Sequence, residues 1–281
     1  MSQKSSMAPM LFKTHLDFQR KIIRDRLEEQ EAQKKQIEKI TARERLEHQN
    51  ILHLILNKNP GLSKSNTHLL VIPTGLSKLI SLSKDRIKNY TEHLNSIINQ
   101  AMEYTDASEV VYDQHHHAHE RLAEVNRQFN QNPKLQNISD KLCCLCKGGC
   151  CASGKDHAYL SVITIRRYMD NHPDVSKQDI LDLYLSNISL ETIEGACINQ
   201  TSTGCALPRE LRSDICNGYY CDTLKTYQKK LKGKENIGVV LAIQRSKNNF
   251  NWFDPNIDNE IVNIALLDED KLHLVDVSFD D

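Results

Sequence analysis

Five of the chain's nine cysteines fall in one short stretch, KLCCLCKGGCCASGK, as Cys143, Cys144, Cys146, Cys150 and Cys151. The other four, Cys197, Cys205, Cys216 and Cys221, lie in a second segment that ends in GYYC. Thiols at this density do one of two jobs. In a small secreted domain they build a disulfide framework, whereas in a reducing compartment they stay as thiols and gather metal. A chain of 281 residues can bury a core of its own. Its N-terminus carries only a short apolar patch at Met10-Leu11-Phe12, and no run approaches the length of a membrane span. The sequence therefore reads as cytoplasmic, and the cysteines as metal-directed.

The spacing narrows the chemistry. The first cluster is Cys143-x2-Cys146-x3-Cys150-Cys151, with Cys144 as an additional thiol, and the glycines Gly148, Gly149 and Gly204 offer the backbone freedom that converging sulfurs need. In an unbroken helix Cys216 and Cys221 would diverge by about 140°. Gly218 between them predicts a turn, followed by a helix from Tyr220 to Leu231. Adjacent side chains point apart, so Cys150 and Cys151 are expected to serve different centres, or one of them the core. Familiar templates are absent. There is no C-x2-C-x2-C-x3-C-P ferredoxin run, no repeated C-x2-C ribbon, no thioredoxin-like pair beside a βαβ pattern, and no P-loop, G-x-G-x-x-G or H-E-x-x-H.

One resemblance holds. The order C-x2-C-x3-CC, a spacer, Gly195-Ala196-Cys197 and then GCALPRELRSDICNGYYC from Gly204 to Cys221 is similar to the CxxCxxCC family, the zinc- or iron-chelating domain related to the YkgJ proteins. The similarity runs from about Leu142 to Leu224. Two departures stand out: three residues, Lys147, Gly148 and Gly149, precede the paired cysteines where the family has two, and Ser213 replaces a proline. The resemblance implies that Cys143, Cys146, Cys150, Cys151, Cys197, Cys205, Cys216 and Cys221 are the metal-associated set, holding an iron–sulfur cluster, of the 4Fe–4S type, or zinc. It implies no settled reaction. Flagellin lysine N-methylases are similar in carrying this domain, which offers an iron–sulfur-assisted methyltransferase as an alternative, although no nucleotide or S-adenosylmethionine loop is found. A third reading is a structural-zinc protein whose N-terminal helix binds a protein partner.

The remaining residues near these motifs carry weaker signals. His157 reads as a structural histidine. Arg209 and Arg212 would balance thiolate charge or make surface ion pairs, and Tyr219, Tyr220 and Tyr227 are expected to pack around the site. In DQHHHAHE, His115 and His119 stand one helical turn apart, but no further donors complete a ligand set, so a packed or solvated histidine cluster is expected.

The elements that must position the thiols predict a mainly α chain. Residues 1–60 read as a long exposed helix: from Leu11 to Lys58 there is no Gly or Pro, and Asn59-Pro60-Gly61 ends it. Its apolar positions Leu16, Ile23, Ile37 and Ile51 recur near heptad spacing, but Gln30 and Glu44 interrupt a coiled-coil seam. Residues 61–135 read as helical, forming a hairpin. One helix opens near Ser83 with Tyr90, Leu94, Ile97 and Ala101 on one face, and another carries Val111, His115, Leu122, Val125 and Phe129 on a stripe. Residues 136–235 form the cysteine-rich domain of short helices and loops, with a helix over Ser161–Asp170 and a capping box at Ser176-Lys177-Gln178-Asp179. Residues 236–281 read as a small β hairpin or meander with an acidic end, built from the runs 238–243, 261–266 and 272–277. The formal charge of −1 argues against nucleic acid and against an anionic membrane.

Overall fold

The computed structural model describes residues 8–111, 116–234, 238–246, 259–268 and 271–275. The chain divides into two units, one comprising residues 1–57 and 251–258 and the other the remainder. The first unit is described through α1 (Pro9–Lys58), the single long helix expected from the absence of Gly and Pro between Leu11 and Lys58. Most of α1 is exposed, while His48, Ile51, Leu52 and Ile55 near its C-terminal end are buried. Among the described residues, no helix is long and apolar enough to cross a membrane.

The second unit opens with β1 (Thr67–Pro73) and β2 (Leu79–Ser81), followed by α2 (Lys84–Ala101), α3 (His116–Gln131), α4 (Pro133–Cys146) and α5 (Gly149–Ala152). Next come α6 (Val162–Asn171), α7 (Lys177–Ser186), β3 (Glu191–Ile193) and the small β4 (Gln200–Thr201) and β5 (Gly204–Cys205) pair. The chain then passes through α8 (Asp214–Gly218) and α9 (Asp222–Leu231) to β6 (Val239–Arg245), β7 (Ile261–Leu267) and β8 (Leu272–Leu274). Helices dominate, as expected, around a small mixed sheet.

That sheet corrects the expected organisation. Residues 61–135 are not wholly helical: Thr67–Pro73 forms a strand, and it pairs parallel with β6, Thr67 opposite Val239 and Pro73 opposite Arg245. The strand order is β1-β6-β7-β8. Antiparallel β7 and β8 turn at Asp268–Lys271, the expected hairpin, with Leu267 opposite Leu272. Parallel neighbours need a long crossover, and here the crossover is the entire helical and cysteine-bearing segment between Pro73 and Val239. Both ends of that segment are therefore pinned to one sheet.

Helix signals decide most local boundaries. Ser83 caps α2 by accepting from the Arg86 amide, and the capping box expected at Ser176 is formed with Asp179 around the start of α7. The third helix begins later than its stripe suggested. Val111 lies outside it and is exposed, whereas Leu122 and Phe129 are buried as expected. His115 and the side chain of His119 lie outside the described residues, as does most of the acidic C-terminal end. The expected hairpin of α2 with α3 gives way to other partners: α2 packs against α6 and α7, and α3 against α4 and α8.

Two apolar cores result. One gathers Leu70 and Ile72 of β1, Leu135, Ile138 and Leu142 of α4, and Leu224 and Leu231 of α9. The other gathers Tyr90, Leu94 and Ile98 of α2, Ile165 of α6, Ile180 and Tyr184 of α7, and Leu211. Each fully buried Leu or Ile contributes about 1.5–3 kcal/mol. The cysteines sit at the ends of the elements that these cores fix.

Candidate metal centre

The C-terminal turn of α4 carries Cys143 and Cys146, three residues apart and so on one face of the helix. This differs from the expectation that the first cluster occupies glycine loops. The helix ends at Lys147, a non-glycine residue with φ of 48°, and Gly148 follows at an ordinary φ of −68°. The chain then turns directly into α5, which carries Cys150 and Cys151.

Every helix leaves its last carbonyls without intrahelical partners, and in α4 the sheet supplies them. The Gln244 side chain of β6 donates to the Leu145 carbonyl at 2.8 Å, and the Gly75 amide, just beyond β1, donates to the Cys146 carbonyl at 2.8 Å. Lys147 donates back to the Cys143 carbonyl at 3.1 Å. On the other side, the buried Gln228 of α9 donates to Ser139 of α4 at 3.1 Å. Cys221 stands at the N-cap of α9, so its position follows from the α4–α9 packing.

The second cluster is held by turns. Cys197 lies before the β4–β5 hairpin, in which Gln200 pairs with Cys205. Cys216 sits inside α8, whose N-cap Ser213 accepts from the Cys216 amide at 3.2 Å. Ser213 thus starts this helix with its hydroxyl. Gly218 closes α8, Tyr219 is extended, and α9 opens at Cys221, so the expected break between Cys216 and Cys221 is present. The helix starts at Asp222 rather than at Tyr220.

All nine cysteines, from both segments, line one cavity of about 120 Å³. A single water needs roughly 10–15 Å³, so the space admits a group of several atoms. Cys144 takes part as a lining residue: a Cβ at Gly204, where φ is 123°, would lie 2.2 Å from the Cys144 Sγ. Glycine is needed at 204 both for that conformation and for this close approach. Among the described residues, however, no three His, Cys, Asp or Glu side chains are grouped tightly enough to hold one metal ion. The thiols surround a common space.

Burial governs the thiols' acidity. It pushes Cys143 well above the usual thiol range, with Cys150 and Cys146 adding to the effect. It raises Cys146 to about 12 and Cys197 to about 12. Cys150, Cys151 and Cys216 keep solvent-accessible surface, yet burial still pushes Cys216 up to about 11, because these side chains face the cavity with protein on most sides. Cys150 is the exception. A hydrogen bond with the Cys151 side chain lowers it, and the same bond holds Cys151 protonated.

The fold separates residues that their sequence context treated alike. Arg212 lines the cavity and opposes the burial-driven rise in the Cys144 and Cys216 pKa values, while its Nε donates to the Leu207 carbonyl at 2.8 Å. Arg209 is not among the lining residues: it stands 5.2 Å above the Phe129 ring, donates to the Asn217 carbonyl at 3.0 Å and makes the expected kind of ion pair, with Asp140 at 3.8 Å. Tyr219 and Tyr220 line the cavity, but Tyr227 is buried in the α4–α9 core beside His68. His157 accepts from the Tyr159 amide at 3.0 Å and stands outside the cavity lining, in line with a structural role. Asp140 and Tyr159, which also line the cavity, had no sequence signal beyond their nearness to the cysteines.

Compared with known protein families, with curated proteins and with solved structures, the chain matches none of them.

Proposed function

We propose that this is a metal-binding protein in which Cys143, Cys146, Cys150, Cys151, Cys197, Cys205, Cys216 and Cys221 hold an iron–sulfur centre in preference to a lone zinc ion. The observation that carries the reading is the convergence of thiols from two distant segments on one cavity. Soft thiolates are the donors that both zinc and iron–sulfur clusters require. One zinc ion takes only four sulfurs, and more thiols than that line the cavity. A polynuclear group bridged by sulfide fills a larger space, and a cavity of about 120 Å³ admits a group of several atoms, which favours it here. Such a cluster supplies one-electron transfer when bound. The chain's own residues would orient the thiolates through the α4 and α9 termini and place the Arg212 guanidinium against their charge. The reading places the chain in a reducing compartment, the cytoplasm, where thiols remain available to metal.

Purification without oxygen, followed by iron, sulfide and zinc analysis and an absorption spectrum, tests the proposal. Broad visible absorption with iron and acid-labile sulfide is the expected result. Colourless protein that contains zinc and cannot be reconstituted with iron and sulfide would overturn it in favour of a structural-zinc protein.

A further inference from the structure

We propose that Arg86 of α2, which lies in neither cysteine segment, is the positioning residue that makes one site of the two. This rests on the reading that the thiols of both segments serve a common site, and it adds the device that joins the halves.

The halves are anchored in different cores. Cys146 and Cys221 are buried in the α4–α9 core, and Cys143 packs against it. Cys197 is buried in the core built on α2, α6 and α7, and Cys205 is packed at its edge. Holding the two groups of thiols at a constant separation takes a contact between them. The turn that follows Cys151 supplies one. The Gly154 amide donates to the Cys151 carbonyl at 3.1 Å, and a Cβ on Gly154 would lie 3.1 Å from the Cys197 Sγ. The Lys155 carbonyl accepts from the Ile198 amide at 2.7 Å. Three non-glycine residues here, Lys155, Ala158 and Tyr159, have φ of 39°, 51° and 56°. Left-handed conformations at such residues are strained and persist where the surroundings impose them.

Arg86 grips both sides of that contact. Its Nε donates to the Asp156 carboxylate in the turn at 2.6 Å, and its Nη2 donates at 2.7 Å to the carbonyl of Ala196, the residue before Cys197. Nη2 also reaches the Lys155 carbonyl at 3.4 Å, and Asn89 of α2 donates to the second Asp156 oxygen at 3.2 Å. The Arg86 side chain is 17% exposed, so the protein shields these bonds from much of the solvent. A guanidinium offers a planar fork that serves two acceptors in fixed geometry, which a lysine ammonium does not. The helix that carries it is held independently, by Tyr90, Leu94 and Ile98 in the α2 core. Removing the fork therefore leaves α2 in place and frees the turn from the segment that bears Cys197.

Labelling of the full, reduced, metal-free chain with N-ethylmaleimide under native conditions, mapped cysteine by cysteine, tests the assignment. Arg86→Gln is expected to speed the labelling of Cys197 by roughly 10- to 100-fold, the factor that corresponds to one lost charge-assisted hydrogen bond, while Cys146 and Cys221 keep their parent rates. Burial raises the Cys197 pKa and the Arg86 charge opposes that rise, so loss of the charge alone would slow labelling, and a faster rate reports displacement. Arg86→Lys, which keeps the charge without the fork, is expected to fall between the parent and Arg86→Gln. Where Arg86→Gln loses its helical circular dichroism, Asp156→Asn takes its place, with the same selective rise expected. A parent rate at Cys197 in a folded variant would overturn the proposal. An equal rise at Cys146, Cys197 and Cys221 would also overturn it, because that pattern marks a general loss of stability instead of a local opening. The selective rise in a chain that takes up no iron and sulfide would uphold the role of Arg86 while refuting the iron–sulfur reading. An iron–sulfur cluster in the parent with no selective rise in the variants would do the reverse.

Discussion

Replacing Gly75 with alanine tests whether the sheet holds the cysteine-bearing helix in place. A Cβ at Gly75 would lie 1.5 Å from the Lys147 carbonyl oxygen and 2.2 Å from its carbonyl carbon. Both are backbone atoms, so no rotamer change relieves the overlap, and either the segment after β1 or the turn after α4 must shift. The shift breaks the 2.8 Å bond from the Gly75 amide to the Cys146 carbonyl, worth about 0.5–1.5 kcal/mol. Forced displacement in packed surroundings adds about 1–3 kcal/mol. Together these give a loss of roughly 2–4 kcal/mol, or about 5–15 °C in Tm for a chain of this size. The control is Gly149→Ala, where an added Cβ meets nothing within 4 Å and stability should stay within about 0.5 kcal/mol. Urea and thermal unfolding of the two variants provide the comparison, and metal content provides a second readout, since Gly75→Ala should also lower the metal retained after dialysis. If Gly75→Ala unfolds at the same urea concentration as Gly149→Ala, the tether from sheet to helix does not hold the site, and the reasoning fails.

In the metal-free protein, iodoacetamide at pH 7 should modify Cys150 first. Its bond with Cys151 lowers Cys150, whereas burial raises Cys146 to about 12, so at pH 7 Cys150 carries far more of the reactive thiolate. Peptide mapping that finds Cys146 labelled ahead of Cys150 would contradict this. The metal-free chain should also lose stability in base. Cys146 and Cys197 are buried, with folded values near 12 against an ordinary 9.0. Their stabilising contribution is therefore complete below pH 9 and is lost as pH rises toward 12, by roughly 1.4 kcal/mol per thiol at pH 10. A denaturation midpoint that is level between pH 8 and 10.5 would refute that assignment. Removing the α8 cap with Ser213→Ala should cost about 1 kcal/mol, read as a lower urea midpoint, and an unchanged midpoint would show that α8 does not depend on this hydroxyl.

The parts of the fold that were legible in sequence are those set by local chemistry. The absence of Gly and Pro from Leu11 to Lys58 marks α1, the Ser176 and Asp179 pair marks the start of α7, and the turn residues between two β-prone runs mark β7 and β8. The first strand was not legible. THLLVIP is a short apolar run whose periodicity does not separate strand from buried helix, and its partner β6 lies near the far end of the chain. Likewise, cysteine density signals a shared site, but neither density nor spacing tells Arg212, which lines the cavity, from Arg209, which stacks on Phe129. Tyr227 shows the same limit, since one turn of α9 beyond the Cys221 neighbourhood suffices to place it in the core instead.

The break at Lys147 explains why the first cluster needs two short helices instead of one long one. In a continuous helix Cys143, Cys146 and Cys150 would share a stripe, but Cys143 and Cys150 would stand about 10.5 Å apart along the axis, too far to meet around one compact group. The left-handed residue at 147 ends α4 and redirects the chain, so that Cys150 interacts with both Cys143 and Cys146. A lysine in that conformation costs about 1–2 kcal/mol relative to the right-handed region. The bonds that flank it, from Gly75 to Cys146 and from Lys147 to Cys143, are available only with the turn in place. The strain is thus sustained by the sheet, which is why a strand with no chemistry of its own belongs to the construction of the thiol cavity.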